Sequence, residues 1–206
     1  MITKSIIYAP VLGAALSLSG LGHAQTGAGA ETAAPATQMA PAATGSTAQQ
    51  APAKAVTDPE IIGILEAANQ GEIDEAKVAK KISKSKPVKD FAEMMILEHE
   101  QVQKDVKLFA KKVKMTPADS DTKSALKKTV ADNIKTLKRV SGKEHDRRYM
   151  ADQVAMHQNL LDQIDSTLLP GAQDAELKAI LTKVRASVAQ HLESAKTLQN
   201  TIGVAG

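Results

Sequence analysis

PVKDFAEMMILEHEQVQKDVKLFAKKVKM, residues 87–115, is the most regular stretch of the chain. Val88, Ala92, Met95, His99, Val102, Val106, Phe109 and Val113 recur at alternating spacings of four and three, with charged and amide residues predominating between them. Side chains so spaced share one face of an α-helix, and a seam this regular predicts packing against neighbouring helices at a shallow angle. Pro87 suits a first helical turn. Met115-Thr116-Pro117 closes the helix, because the residue before a proline avoids the helical conformation. One member of the seam is out of character: His99 stands in a row that is otherwise aliphatic, aromatic or Met.

The same periodicity extends outward on both sides. Upstream, Asp58-Pro59-Glu60 is a helix-start signal, followed by Ile61, Leu65, Ala68, Glu72, Ala79 and Ile82 on one face to about Lys84. Downstream, residues 119–139 form a weaker amphipathic segment with Leu126, Val130, Ile134 and Leu137 inward, stopped by Ser141-Gly142. A further helix is predicted from about Lys143 to Leu169, with Met150, Val154, His157, Leu161, Ile164 and Leu168 as its stripe; Pro170-Gly171 breaks it. Asp174 can cap the last helix, whose stripe is Leu177, Leu181, Val184, Val188, His191, Ala195 and Leu198.

Four helices of roughly 25 residues, each about 38 Å long, suit a bundle. The expected fold is all-α: a ferritin-like four-helix bundle over residues 58–203, with an additional crossover helix between the second and third core helices. Composition agrees. Aromatics are only 2% of 206 residues, so the core must be built from Ala, Val, Leu, Ile and Met, which favour helices over sheet. The 26 basic and 23 acidic residues are interspersed, with no basic stripe or stacking aromatics of a nucleic-acid binder. Cysteine is absent, which excludes disulfides, thiolate nucleophiles, Fe–S clusters and a lipidated N-terminus.

The first 24 residues predict export. Lys4 precedes an uncharged apolar run, Ile6 to Leu21, and Gly22-His23-Ala24 suits cleavage before Gln25. No transmembrane span is expected after cleavage. Residues 25–57, rich in Ala, Pro, Thr and Gln, read as a disordered linker without chemistry. The expected location is the periplasm, with outer-membrane association as a further option.

The candidate site consists of Glu72, His99, His157 and His191. Each interrupts an apolar stripe near the middle of its helix, and a mid-helix residue stays at mid-bundle whichever way the helix runs. A carboxylate with neutral imidazoles is a good ligand set for Fe, Zn, Cu, Ni or Mn. Glu75, Glu98 and Asp152 are close enough in sequence to accept the proton of a ligating ring's other nitrogen. The alternative is a closed His/Glu hydrogen-bond network that fixes helix register without metal, in a structural or interaction module with an envelope protein partner. No Glu stands three residues before any of the three His, so the usual di-iron pattern is missing, and carboxylates are too few for a typical two-metal enzyme. His145, at a helix start, is expected to be exposed. Asp146, Arg147, Arg148 and Tyr149 suggest an ion pair and a Tyr hydrogen bond.

Several motifs taken together resemble a ferritin-like domain-of-unknown-function family of bacterial envelope proteins, often labelled outer-membrane proteins. They are Ala-Ala-Asn-Gln-Gly-Glu ending at Glu72, Lys-Pro-Val-Lys-Asp-Phe through Phe91, and Met-x-x-Glu-His at 95–99. Ser-Gly-x-x-His-Asp-Arg-x-Tyr at 141–149, Met150 with His157, and His-Leu-x-x-Ala at 191–195 complete the set. The resemblance implies an exported bundle with Glu72, His99, His157 and His191 inward, and carries no established reaction. Glu98 replaces the usual Asp, and His145 the usual Phe.

Overall fold

The computed structural model describes residues 55–204, and every regular element among them is helical. In order these are α1 (Asp58–Ile82), α2 (Lys86–Lys112), α3 (Asp121–Leu137), α4 (Gly142–Gln163) and α5 (Ala175–Val204). A π-helical turn, Ile164–Leu168, and a short helical stretch, Leu169–Gly171, prolong α4. The signal-peptide and linker expectations lie outside the described residues except for Ala55, Val56 and Thr57. Val56 already packs against the core.

Local chemistry explains the helix ends. The Glu60 carboxylate accepts hydrogen bonds from the Thr57 amide at 2.9 Å and the Thr57 hydroxyl at 2.7 Å, closing the first turn of α1. Asp174 Oδ1 accepts from the Glu176 and Leu177 amides at 2.8 and 3.0 Å, as expected of a cap. The helical run ends at the predicted Pro170-Gly171 break, with Gly171 its last residue and Ala172 its cap. Pro170 itself falls beside the π turn, where the regular hydrogen-bond ladder is already interrupted, so its missing N–H costs little.

α1 packs along α2 and α3, and α4 along α5; α1 also meets α4, and α2 meets α5. Asp58 accepts from the Gln173 and Asp174 amides at 2.8 and 2.9 Å, tying the start of α1 to the α4–α5 turn. The core divides into two apolar clusters. One holds Leu65, Val106, Ile164 and Val188; the other holds Ala76, Met95, Met150 and Ala195. On each of α1, α2, α4 and α5 the two clusters are separated along the helix by a polar residue: Glu72, His99, His157 and His191.

α3 lies against α1 at two glycines. A Cβ on Gly71 would come within 2.5 Å of Val130 Cγ2, and one on Gly63 within 2.1 Å of the Ala118 carbonyl oxygen, in the segment leading into α3. Only the absence of a side chain permits this approach.

His145 corrects an expectation: it is fully buried. The inward face of α4 begins a turn earlier than the predicted stripe, with His145 one turn before Tyr149, and both are at 0% exposure. Tyr149 makes no hydrogen bond through its hydroxyl and sets its ring edge-on to Phe91, centroids 6.1 Å apart. Arg148 pairs instead with Asp152 at 2.9 Å. Among the described residues, no helix is long and apolar enough to cross a membrane.

Candidate metal centre

His99 from α2, His157 from α4 and His191 from α5 meet in the polar layer between the two apolar clusters. Their ring centroids are 5.9 Å (His99–His157), 5.2 Å (His99–His191) and 5.4 Å (His157–His191) apart. One nitrogen from each ring lies within 4.8 Å of the other two, and all three residues are buried.

Each ring turns one nitrogen to a protein acceptor. His99 Nδ1 is 2.9 Å from Asn69 Oδ1, and Asn69 is oriented by donating its own amide to the Leu65 carbonyl at 2.7 Å. His157 Nδ1 donates to the Gln153 carbonyl at 2.9 Å, and His191 Nε2 to Glu98 Oε2 at 2.8 Å. Carbonyl and carboxylate oxygens only accept, so each of these nitrogens carries the ring proton. The remaining nitrogens, His99 Nε2, His157 Nε2 and His191 Nδ1, are buried and have no hydrogen-bond partner. On a neutral imidazole each is a lone pair.

The rings are neutral. Burial holds His99 well below the usual histidine range, and the two neighbouring imidazoles push the same way. Burial takes His157 down to about 4, against the raising effect of the Gln153 carbonyl. Burial also lowers His191, partly offset by its hydrogen bond to Glu98. In a tetrahedral site with bonds near 2.05 Å, ligand nitrogens stand about 3.3 Å apart. Starting within 4.8 Å, the rings need to close by about 1.5 Å at most. A cavity of about 10 Å³ touching Asn69, His99 and His191 adds room for roughly one water-sized ligand.

Glu72 stands beside this group. Its Oε1 is 3.6 Å from His157 Nδ1, on the proton-bearing side of that ring, and its Oε2 accepts from Gln153 Nε2 at 2.8 Å. Burial raises its carboxyl to about 7, against the lowering effects of Gln153 and His191. Of the three acceptors expected from sequence, only Glu98 backs a ring. Glu75 accepts from Asn133 at 3.1 Å and is pushed up to about 9 by burial and then by Glu72. Asn69 and Gln153, which do position His99, His157 and Glu72, were not singled out by the periodicity. Both are buried amides one or two turns from a core Glu or His, and that placement was the available signal.

By fold and site this is an all-α protein with a buried cluster of three neutral histidines. Residues 42–198, well over half of the chain, match the model of the family described as Domain of unknown function (DUF4142), and the protein belongs to that family. No curated protein and no solved structure matches the chain.

Proposed function

We propose that this protein binds one transition-metal ion through His99, His157 and His191, with Glu72 as the neighbouring carboxylate that balances its charge. The observation carrying this reading is the set of three buried, unpartnered imidazole nitrogens on rings whose other nitrogens are already paired. Three buried lone pairs on rings packed this closely have no partner of their own, and a shared cation would give them one. Backing each ligating ring with an acceptor is how proteins orient imidazoles at metals. Three nitrogens suit Fe, Zn, Cu, Ni or Mn and leave a coordination position open. The packing of α1, α2, α4 and α5, with α3 as the crossover helix, supports a ferritin-like four-helix bundle as the scaffold. With the export signal in residues 1–24, the reading becomes metal handling or stress protection in the periplasm, with outer-membrane association as a further option.

A second reading has the His/Glu set serving stability alone, in a bundle that presents its surface to an envelope partner. The pairing of every ring with Asn69, Gln153 or Glu98 favours it, and the three orphaned nitrogens count against it.

Elemental analysis of tag-free protein, after reconstitution with each of the five metals, separates the two. One ion per chain is expected. At a hundredfold excess over Kd the bound ion adds about 2.7 kcal/mol of stability. For a chain of this size that raises Tm by roughly 5–10 °C. His99→Ala and His157→Ala should each lose both the ion and the shift. Absence of stoichiometric metal, or unaltered binding in both variants, rejects the proposal.

A further inference from the structure

Buried imidazoles need a path by which a cation reaches them. A cleft of about 590 Å³ opens between α1, α3 and α4. The α3 side is formed by Ala125, Leu126 and Thr129, and the inner side by Ala68, Glu72 and Leu160. Its ionisable lining is wholly acidic: Asp121 and Asp162, both exposed, and buried Glu72, with neither Lys nor Arg.

Two features join this cleft to the histidines. Glu72, which lines it, lies 3.6 Å from His157 Nδ1. Ala68 and Leu160 border both the cleft and the small cavity beside His99 and His191. Of the two residues that line both spaces, Ala68 offers only a methyl group and Leu160 is the larger. Leu160 is only half-buried, and a partly exposed leucine changes rotamer on a fast timescale.

We infer that the cleft between α1, α3 and α4 is the route by which a divalent transition-metal cation reaches His99, His157 and His191, with Leu160 as its gate. The inference rests on the metal reading above and adds to it the path and its selectivity. Asp121 and Asp162 draw the cation to the mouth, and Glu72 receives it at the inner end. An acidic cleft between low-dielectric walls concentrates cations and excludes anions. Leu160 offers no ligand atom to the ion, so changing it is expected to alter both rates and leave the equilibrium in place.

The test is stopped-flow binding of Co²⁺ to the metal-free full chain, followed by visible absorption, with release measured by chelator chase. Leu160→Ala should speed association and release together, severalfold, at unchanged Kd. Ala125→Trp, at an exposed position that cannot disturb the core, should slow both together. Asp121→Asn with Asp162→Asn should slow association by up to about tenfold at low salt. That deficit should shrink as salt screens the charges. Wild-type binding with rates unmoved in Ala125→Trp and in the double Asp variant overturns the route and leaves the metal reading intact. Failure of the wild type to bind Co²⁺ at all overturns both. If Leu160→Ala does not fold, as judged by far-UV circular dichroism, the other two variants still decide.

Discussion

Behind His99 stands an uncharged amide, behind His157 a backbone carbonyl, and behind His191 a carboxylate. These acceptors set the tautomer of each ring and so decide which nitrogen keeps the lone pair. Asn69→Ala should leave His99 Nδ1 unpaired and the ring free to rotate, weakening metal affinity by about 10–100-fold, as read by chelator competition. An affinity equal to wild type would show that Asn69 does not orient the ring. Proton competition follows from burial. Imidazoles of ordinary basicity would lose a metal below about pH 6; with His157 depressed to about 4, the site should hold its ion into more acidic solution. The same shift governs the metal-free fold. His157 binds its proton less readily folded than unfolded, so its contribution is present above its ordinary value of 6.5 and is lost as pH falls to about 4. Unfolding titrations across that window should show stability dropping with pH, and a shallower slope in His157→Gln. A wild-type profile that is flat there would contradict the assignment.

At the scale of the helices, α2 and α5 were the most legible. Their seams fall on the predicted faces because both pack against neighbours along their whole length, and every residue of the α5 stripe except half-buried Leu198 is buried. The stripe on α4 was less well read. Its buried face includes His145, Asp146, Asp152 and Gln153, so polar residues occupy inward positions that hydrophobic periodicity passes over. α3 is an amphipathic helix whose place depends on two missing side chains on α1. Gly63→Ala would push a Cβ to 2.1 Å from the Ala118 backbone oxygen, which has no side-chain torsion through which to yield. We expect a loss of about 1–3 kcal/mol in urea denaturation, typical of forced overpacking. Stability equal to wild type would mean the α2–α3 connection moves away freely.

Over the whole molecule, the polar layer opposes itself across the pH range. The histidines weaken the fold toward acid, whereas Glu75, raised from 4.5 to about 9, weakens it toward alkali. A carboxyl that holds its proton more tightly folded than unfolded contributes fully below 4.5, and that contribution is lost as pH rises through about 9. Glu75→Gln keeps an acceptor for Asn133 and removes the ionisation, so its stability should decline less than wild type between pH 7 and pH 9 in thermal unfolding. Parallel curves would show that Glu75 does not carry the alkaline loss.

The helices, the breaks between most of them and the mid-helix level of Glu72, His99, His157 and His191 were determined by sequence alone. Hydrophobic periodicity is local, and a residue halfway along a helix remains halfway along it in either direction. Only the tertiary structure decided how each helix is turned about its own axis and where α3 lies. Those choices pair His99 with Asn69 and His157 with Gln153, bury His145, set Glu72 beside the imidazoles and open the acidic cleft. They arise from contacts between helices far apart in the chain, for which the repeat within any one helix carries no signal.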